Sequence, residues 1–100
     1  MEEKNQINIE IKHEIAGGKY SNLAIISHSH SEFVLDFAGM FPGQNKPEVV
    51  SRVIMSPEHA KRLLAALNDN IRKYESQFGT IELPGQGNTY NMVNQNGTKS

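Results

Sequence analysis

VVSRVIMSPEHAKRLLAALNDNIRKYESQFG, residues 49–79, is the stretch whose reading decides the fold. An alternating apolar run (Val49, Val53, Met55) stops at Ser56-Pro57. Beyond it the apolar positions fall at Ala60, Leu64, Leu67, Ile71, Tyr74 and Phe78, a 4-3-4-3-4 spacing that puts them on one stripe of a helix. Ser56 suits the N-cap, Pro57 the first helical position where a missing N–H costs nothing, and Glu58 the positive end of the helix dipole. Gly79 supplies the stop after Phe78, and Glu58 with Arg62 and Asp69 with Lys73 stand at the i,i+4 spacing of favourable ion pairs. The pattern predicts a helix over residues 57–78. Burying its stripe stabilises by roughly 1.5–3 kcal/mol per large side chain, against a few tenths for each exposed ion pair. What covers that stripe therefore settles the architecture. Two coverings compete: the chain's own sheet or the same helix of a second copy. Leu63 widens the stripe, and three heptads without matching edge charges are weak evidence for a coiled coil, so the sheet is the expected cover.

Upstream, Ile7, Ile9 and Ile11 alternate with Asn8, Glu10 and Lys12, the period of a strand buried on one face. Gly17-Gly18 marks a turn, and Tyr20 to Ser27 reads as a second strand, apolar on both faces at Leu23-Ala24-Ile25-Ile26. Ser27 to Ser31 is the bend after it. Glu32 to Ala38 is a third strand, Gly39 to Pro47 a loop around Pro42-Gly43, and Glu48 to Met55 a fourth strand. Matching faces in an antiparallel hairpin sets Phe33 opposite Met55, Leu35 opposite Val53 and Asp36 opposite Arg52. A slip of one residue would send each apolar set to the wrong face. The charged pair then lies among Val34, Ala38, Val50 and Ile54, so either that face is partly covered by another chain, the expected case, or Asp36 and Arg52 sit at its rim. Met40-Phe41 in the following loop also asks for a cover. Val34, Asp36, Met40, Phe41, Val50, Arg52 and Ile54 are the expected partner-binding residues.

At 100 residues one domain is expected, with a small core and little stability to spare. There is no cysteine, hence no disulfide or thiolate chemistry, in keeping with a reducing cytoplasm. Neither a signal segment nor a membrane span is evident, and a cytoplasmic, bacterial protein is the expectation. A net charge of −1 offers no general attraction to nucleic acid. Thr80 to Pro84 reads as a short arm. Residues 1–6 and the Asn/Gln/Gly-rich residues 85–100 are expected to be disordered, leaving a single α+β domain over 7–84.

The chemical candidates are few. His28 and His30 would point the same way on an extended segment and would ligate a metal if His13 or Glu32 joined them. Two histidines in a serine-rich bend are more often polar loop residues. Ser27, His28 and Asp36 can be written as a nucleophilic set, but no nucleophile-elbow glycines surround a serine. The glycines follow no phosphate-loop spacing. Lys61, Arg62, Arg72 and Lys73 would make a basic stripe, yet Glu58, Asp69 and Glu75 interrupt it and no aromatic platform accompanies it. No catalytic residue, cofactor or metal is assigned.

The stretches YSNLAIISH from Tyr20, SEFVLDF from Ser31, SRVIMSPEHAKRLL from Ser51, and the Tyr74-Glu75 and Phe78-Gly79 pairs resemble a family of small bacterial and archaeal proteins catalogued as a domain of unknown function. The resemblance covers about residues 14–82. It implies a compact α+β domain and carries no catalytic residues to transfer. The order of four strands and a helix also looks like the export chaperone SecB, whose arrangement implies dimers and tetramers that hold unfolded chains. The net charge of −1 departs from that family's acidic character. The expected architecture is a four-stranded antiparallel sheet followed by one long C-terminal helix packed on one sheet face. The expected role is non-enzymatic: a self-associating module that binds protein, with another protein or an unfolded chain as partner.

Overall fold

The computed structural model describes residues 7–84 and 89–91. A short helix α1 (His13–Ala16) precedes three strands, β1 (Leu23–His28), β2 (Phe33–Gly39) and β3 (Glu48–Met55), then the long helix α2 (Pro57–Phe78) and a three-residue strand β4 (Thr89–Asn91). The fold is α+β: three antiparallel strands followed by a long helix. β2 lies between β1 and β3, and β4 joins the far side of β1 in parallel, at Ala24 to Ile26.

The β2–β3 register is the one the matched faces predict, with Phe33 on Met55, Leu35 on Val53 and Asp36 on Arg52. Beyond Phe37, which pairs with Ser51, the register shifts so that Ala38 meets Val49 and Val50 becomes an extra residue. Such a bulge bends the strand and raises its twist. The β1–β2 turn is held by Ser29. Its N–H donates to Glu32 O at 2.9 Å, and its Oγ accepts from the N–H groups of Ser31 and Glu32, each at 3.2 Å. At the other end of this pair the Asn22 side chain continues the ladder. Its Nδ2 donates to Met40 O and its Oδ1 accepts from Met40 N, both at 2.9 Å.

Three expectations are corrected. Residues 7–12 carry no strand, and Ile7, Ile9 and Ile11 are exposed. Alternation shows that a segment can sit on a sheet, but a strand also needs a ladder partner, and the open side of β1 is occupied by β4. The fourth strand therefore comes from residues 89–91, inside the segment expected to be a disordered tail; residues 1–6, 85–88 and 92–100 lie outside the described residues. Thirdly, α2 does not bury its stripe on the sheet. It has no buried residue, and Leu64, Leu67 and Phe78 are 67%, 55% and 67% exposed. The helix stands off the sheet: a cleft separates Ala60, Leu63, Leu64 and Leu67 from Ile26, Phe33, Leu35 and Met55, so even the stripe residues that face the strands stay open to water.

The α2 boundaries themselves are as expected. Ser56 Oγ accepts from His59 N at 3.1 Å, Pro57 opens the helix, and Gly79 closes it at φ 101°, its N–H donating to Glu75 O at 2.9 Å. Only glycine takes that conformation readily. The buried apolar set among the described residues is Leu23, Leu35 and Ala38, and no large side chain is fully buried.

Candidate interaction surfaces

The pleat and register sort the sheet side chains onto two faces. Ile26, Phe33, Leu35, Phe37, Val53 and Met55 share the inner face, the side on which the helices lie. Ile25, Val34, Asp36, Arg52 and Ile54 share the outer one. At one end of the inner face α1 and the Gly18–Ser21 segment border a cleft of about 390 Å³ over Phe37, Ser51 and Val53. At the other end Ala60, Leu63, Leu64 and Leu67 of α2 face Ile26, Phe33, Leu35 and Met55 across an almost wholly apolar cleft of about 330 Å³. Ile71, Tyr74 and Phe78 lie beyond it, with Tyr74 and Phe78 in tilted contact at 4.9 Å between ring centres. Past the helix end, Ile81 N donates to Glu75 Oε2 at 2.9 Å and ties the following arm back to the last turns.

On the outer face the structure brings Asp36 and Arg52 together as a fork. Arg52 Nε donates to Oδ1 at 2.6 Å and an Nη donates to Oδ2 at 2.9 Å. The Asp36 side chain is 13% exposed and that of Arg52 62%, so the pair lies with its acid sheltered and its base at the surface. Hydrogen bonding from Arg52 holds the Asp36 carboxyl below its ordinary value. Partial desolvation opposes this and Coulomb attraction adds to it. Around the pair Val50 and Ile54 are exposed and Val34 is half-buried. The Phe41 ring is only partly free. It folds back over Gly39, where an added Cβ would come within 2.6 Å of it, and meets Tyr20 at 6.2 Å between ring centres. Met40 is fixed by Asn22 through its backbone, with its side chain exposed.

Because the folded-state pKa of Asp36 is lowered, its contribution to stability is complete above the unfolded value of about 3.9 and is lost as pH falls through the lower folded value. The difference in urea midpoint between wild type and Asp36→Asn is expected to be largest near neutral pH. It should close progressively below about pH 4, as the wild-type carboxylate protonates. A gap that persists unchanged into acid would mean that the charge is not what Asp36 contributes.

The chemical candidates are not assembled. His28 stacks on Phe33 of the inner face at 5.2 Å, while Ser27 and Asp36 lie on the outer face, so the nucleophilic set is split across the sheet. Among the described residues no three histidine or carboxylate side chains come together as metal ligands. Arg62 is paired with Glu58 at 2.9 Å and Lys73 with Asp69 at 3.2 Å, the two expected i,i+4 pairs, which neutralise half of the basic stripe. No described helix is long and apolar enough to cross a membrane.

A family model described as a protein of unknown function (DUF3467) matches residues 1–83. No curated protein and no solved structure matches the chain.

Proposed function

The chain belongs to the DUF3467 family, and from its surface we propose that it is a non-enzymatic interaction module that completes its hydrophobic core by self-association. One observation carries this reading. Among the described residues the buried hydrophobic side chains are Leu23, Leu35 and Ala38 alone, while the α2 stripe and the outer-face residues Val50 and Ile54 stay open to water. An apolar surface of that extent is normally a contact surface. The outer face, with Val34, Val50 and Ile54 around the Asp36–Arg52 fork and Met40 beside it, is the surface offered to a protein partner.

Light scattering coupled to size exclusion tests the reading. The expected result is a dimer or larger assembly at micromolar concentration, and a monomer at every concentration overturns it. Ile54→Asp removes an exposed apolar contact on the edge-strand side of the outer face. It is expected to leave the oligomer intact while abolishing capture of a protein partner through that face. If Ile54→Asp gives monomers, the outer face is itself the self-association surface.

A further inference from the structure

We propose that self-association runs through α2, two copies of which pair antiparallel so that each places Tyr74 and Phe78 into the other's apolar cleft between α2 and the sheet. This rests on the self-association reading and names its geometry.

Three independent features of the helix select this arrangement. The first is side-chain size. In the antiparallel register that overlaps the stripe completely, Ala60 meets the second copy's Phe78, Leu64 its Tyr74, and Leu67 its Ile71. The smallest stripe residue thus faces a large aromatic, and each layer joins unlike partners that interdigitate. A parallel pair would instead stack Phe78 on Phe78 and Ala60 on Ala60.

The second feature is charge. Residues at the flanks of an antiparallel seam meet their own kind across the two-fold axis. Here that sets Lys61 against the second copy's Glu75 twice, once on each half, with Asn68 on Asn68 and Asn70 on Asn70 between them. No like charges oppose each other. In a parallel pair these flanks contain no oppositely charged contact at all. The Ile81 N–H occupies Oε2 of Glu75, and Oε1 is the oxygen that takes the lysine.

The third is the cleft. Ala60 and Leu64, the residues that receive Phe78 and Tyr74, are also the ones that line the 330 Å³ space with Phe33, Leu35, Ile26 and Met55. Its volume admits aromatic side chains without admitting a whole helix. The large stripe residues, Leu64 to Phe78, are about two-fifths to two-thirds exposed, so the pairing removes on the order of 1,000 Å² from water over both copies, near the lower bound of a specific interface.

The absence of cysteine makes the geometry directly testable. Full-length Lys61→Cys and Glu75→Cys proteins, distinguished by isotope labelling, are mixed and oxidised, and the products are weighed by mass spectrometry. Antiparallel pairing gives the mixed disulfide as the dominant product. In a parallel pair positions 61 and 75 are separated by about 21 Å of helix rise and do not link. A dimer by light scattering that yields no mixed disulfide overturns the helix pairing and leaves self-association standing, whereas a protein that is monomeric throughout overturns both. In uncrosslinked protein Lys61→Glu is expected to weaken association about tenfold, and adding Glu75→Lys is expected to restore it. Equal association by the single and double variants would overturn the register. Circular dichroism confirms that the helix persists in each variant.

Discussion

Leu67→Asp should convert the proposed α2-paired dimer into monomers that keep their helix content. Leu67 meets the second copy's Ile71 in the proposed pairing, and by symmetry the contact occurs twice about the central axis. One substitution therefore places two carboxylates in the middle of the seam. Desolvating an unpaired charge costs several kcal/mol, and a dimer with so modest an interface has little surplus, so the dissociation constant should rise by at least a hundredfold. The separate chain should tolerate the change, because Leu67 is already 55% exposed there. Sedimentation velocity over a concentration series reads the association and far-ultraviolet circular dichroism the fold. An unchanged oligomer would mean that the stripe is not the contact.

Leu35→Ala should have the largest effect on stability itself. Leu35 sits in the central strand, 9% exposed, with Ile26 and Val53 as its cross-strand neighbours. It is the only large residue of the central strand that is buried, and Leu23 is the only other such side chain in the described core. Truncating a buried leucine costs about 2–5 kcal/mol, and the open cleft beside Leu35, which already lowers its packing, favours the lower half of that range. Against a total of about 5–15 kcal/mol for a folded protein this is a large fraction. The urea midpoint should fall sharply, measured at one fixed protein concentration because association contributes to apparent stability. Leu63→Ala, on the 36%-exposed side of the stripe, should cost much less in the same experiment.

Local signals were readable in the sequence and distant ones were not. The α2 limits rest on neighbouring residues, Ser56, Pro57 and Gly79, each of which carries its own physical reason for being where it is. The β2–β3 register was readable because a slip would have parted Asp36 from Arg52 and turned Phe33 to the wrong face. Ile7, Ile9 and Ile11 misled because alternation says nothing about whether a ladder edge is vacant. The residues that fill that edge, Thr89-Tyr90-Asn91, carry no strand pattern and lie far along the chain. The bulge at Val50 left no mark in a run of β-branched residues. In the proposed pairing Lys61 and Glu75 meet only because the second helix is reversed; heptad spacing along a single chain carries no mark of that direction. Of the expected partner-binding residues, the fork at Asp36 and Arg52 is formed as the register requires, and the Phe41 ring is partly spent on Gly39 and Tyr20.

The bulge bears on how far the protein can assemble. β3 is the last strand of its sheet, and an unpaired strand is a template on which another chain can add by backbone pairing, copy after copy, into a filament. Val50 breaks the regular spacing of that strand near Pro47 and Glu48, and the charged Arg52 follows two residues later, all of them devices that blunt an edge. Contact between side chains about a two-fold axis has the opposite property: it is self-complementary and is satisfied once two copies have met. The irregularity of β3 thus makes it a poor template for strand-on-strand growth, and under the proposed two-fold pairing association stops at two copies.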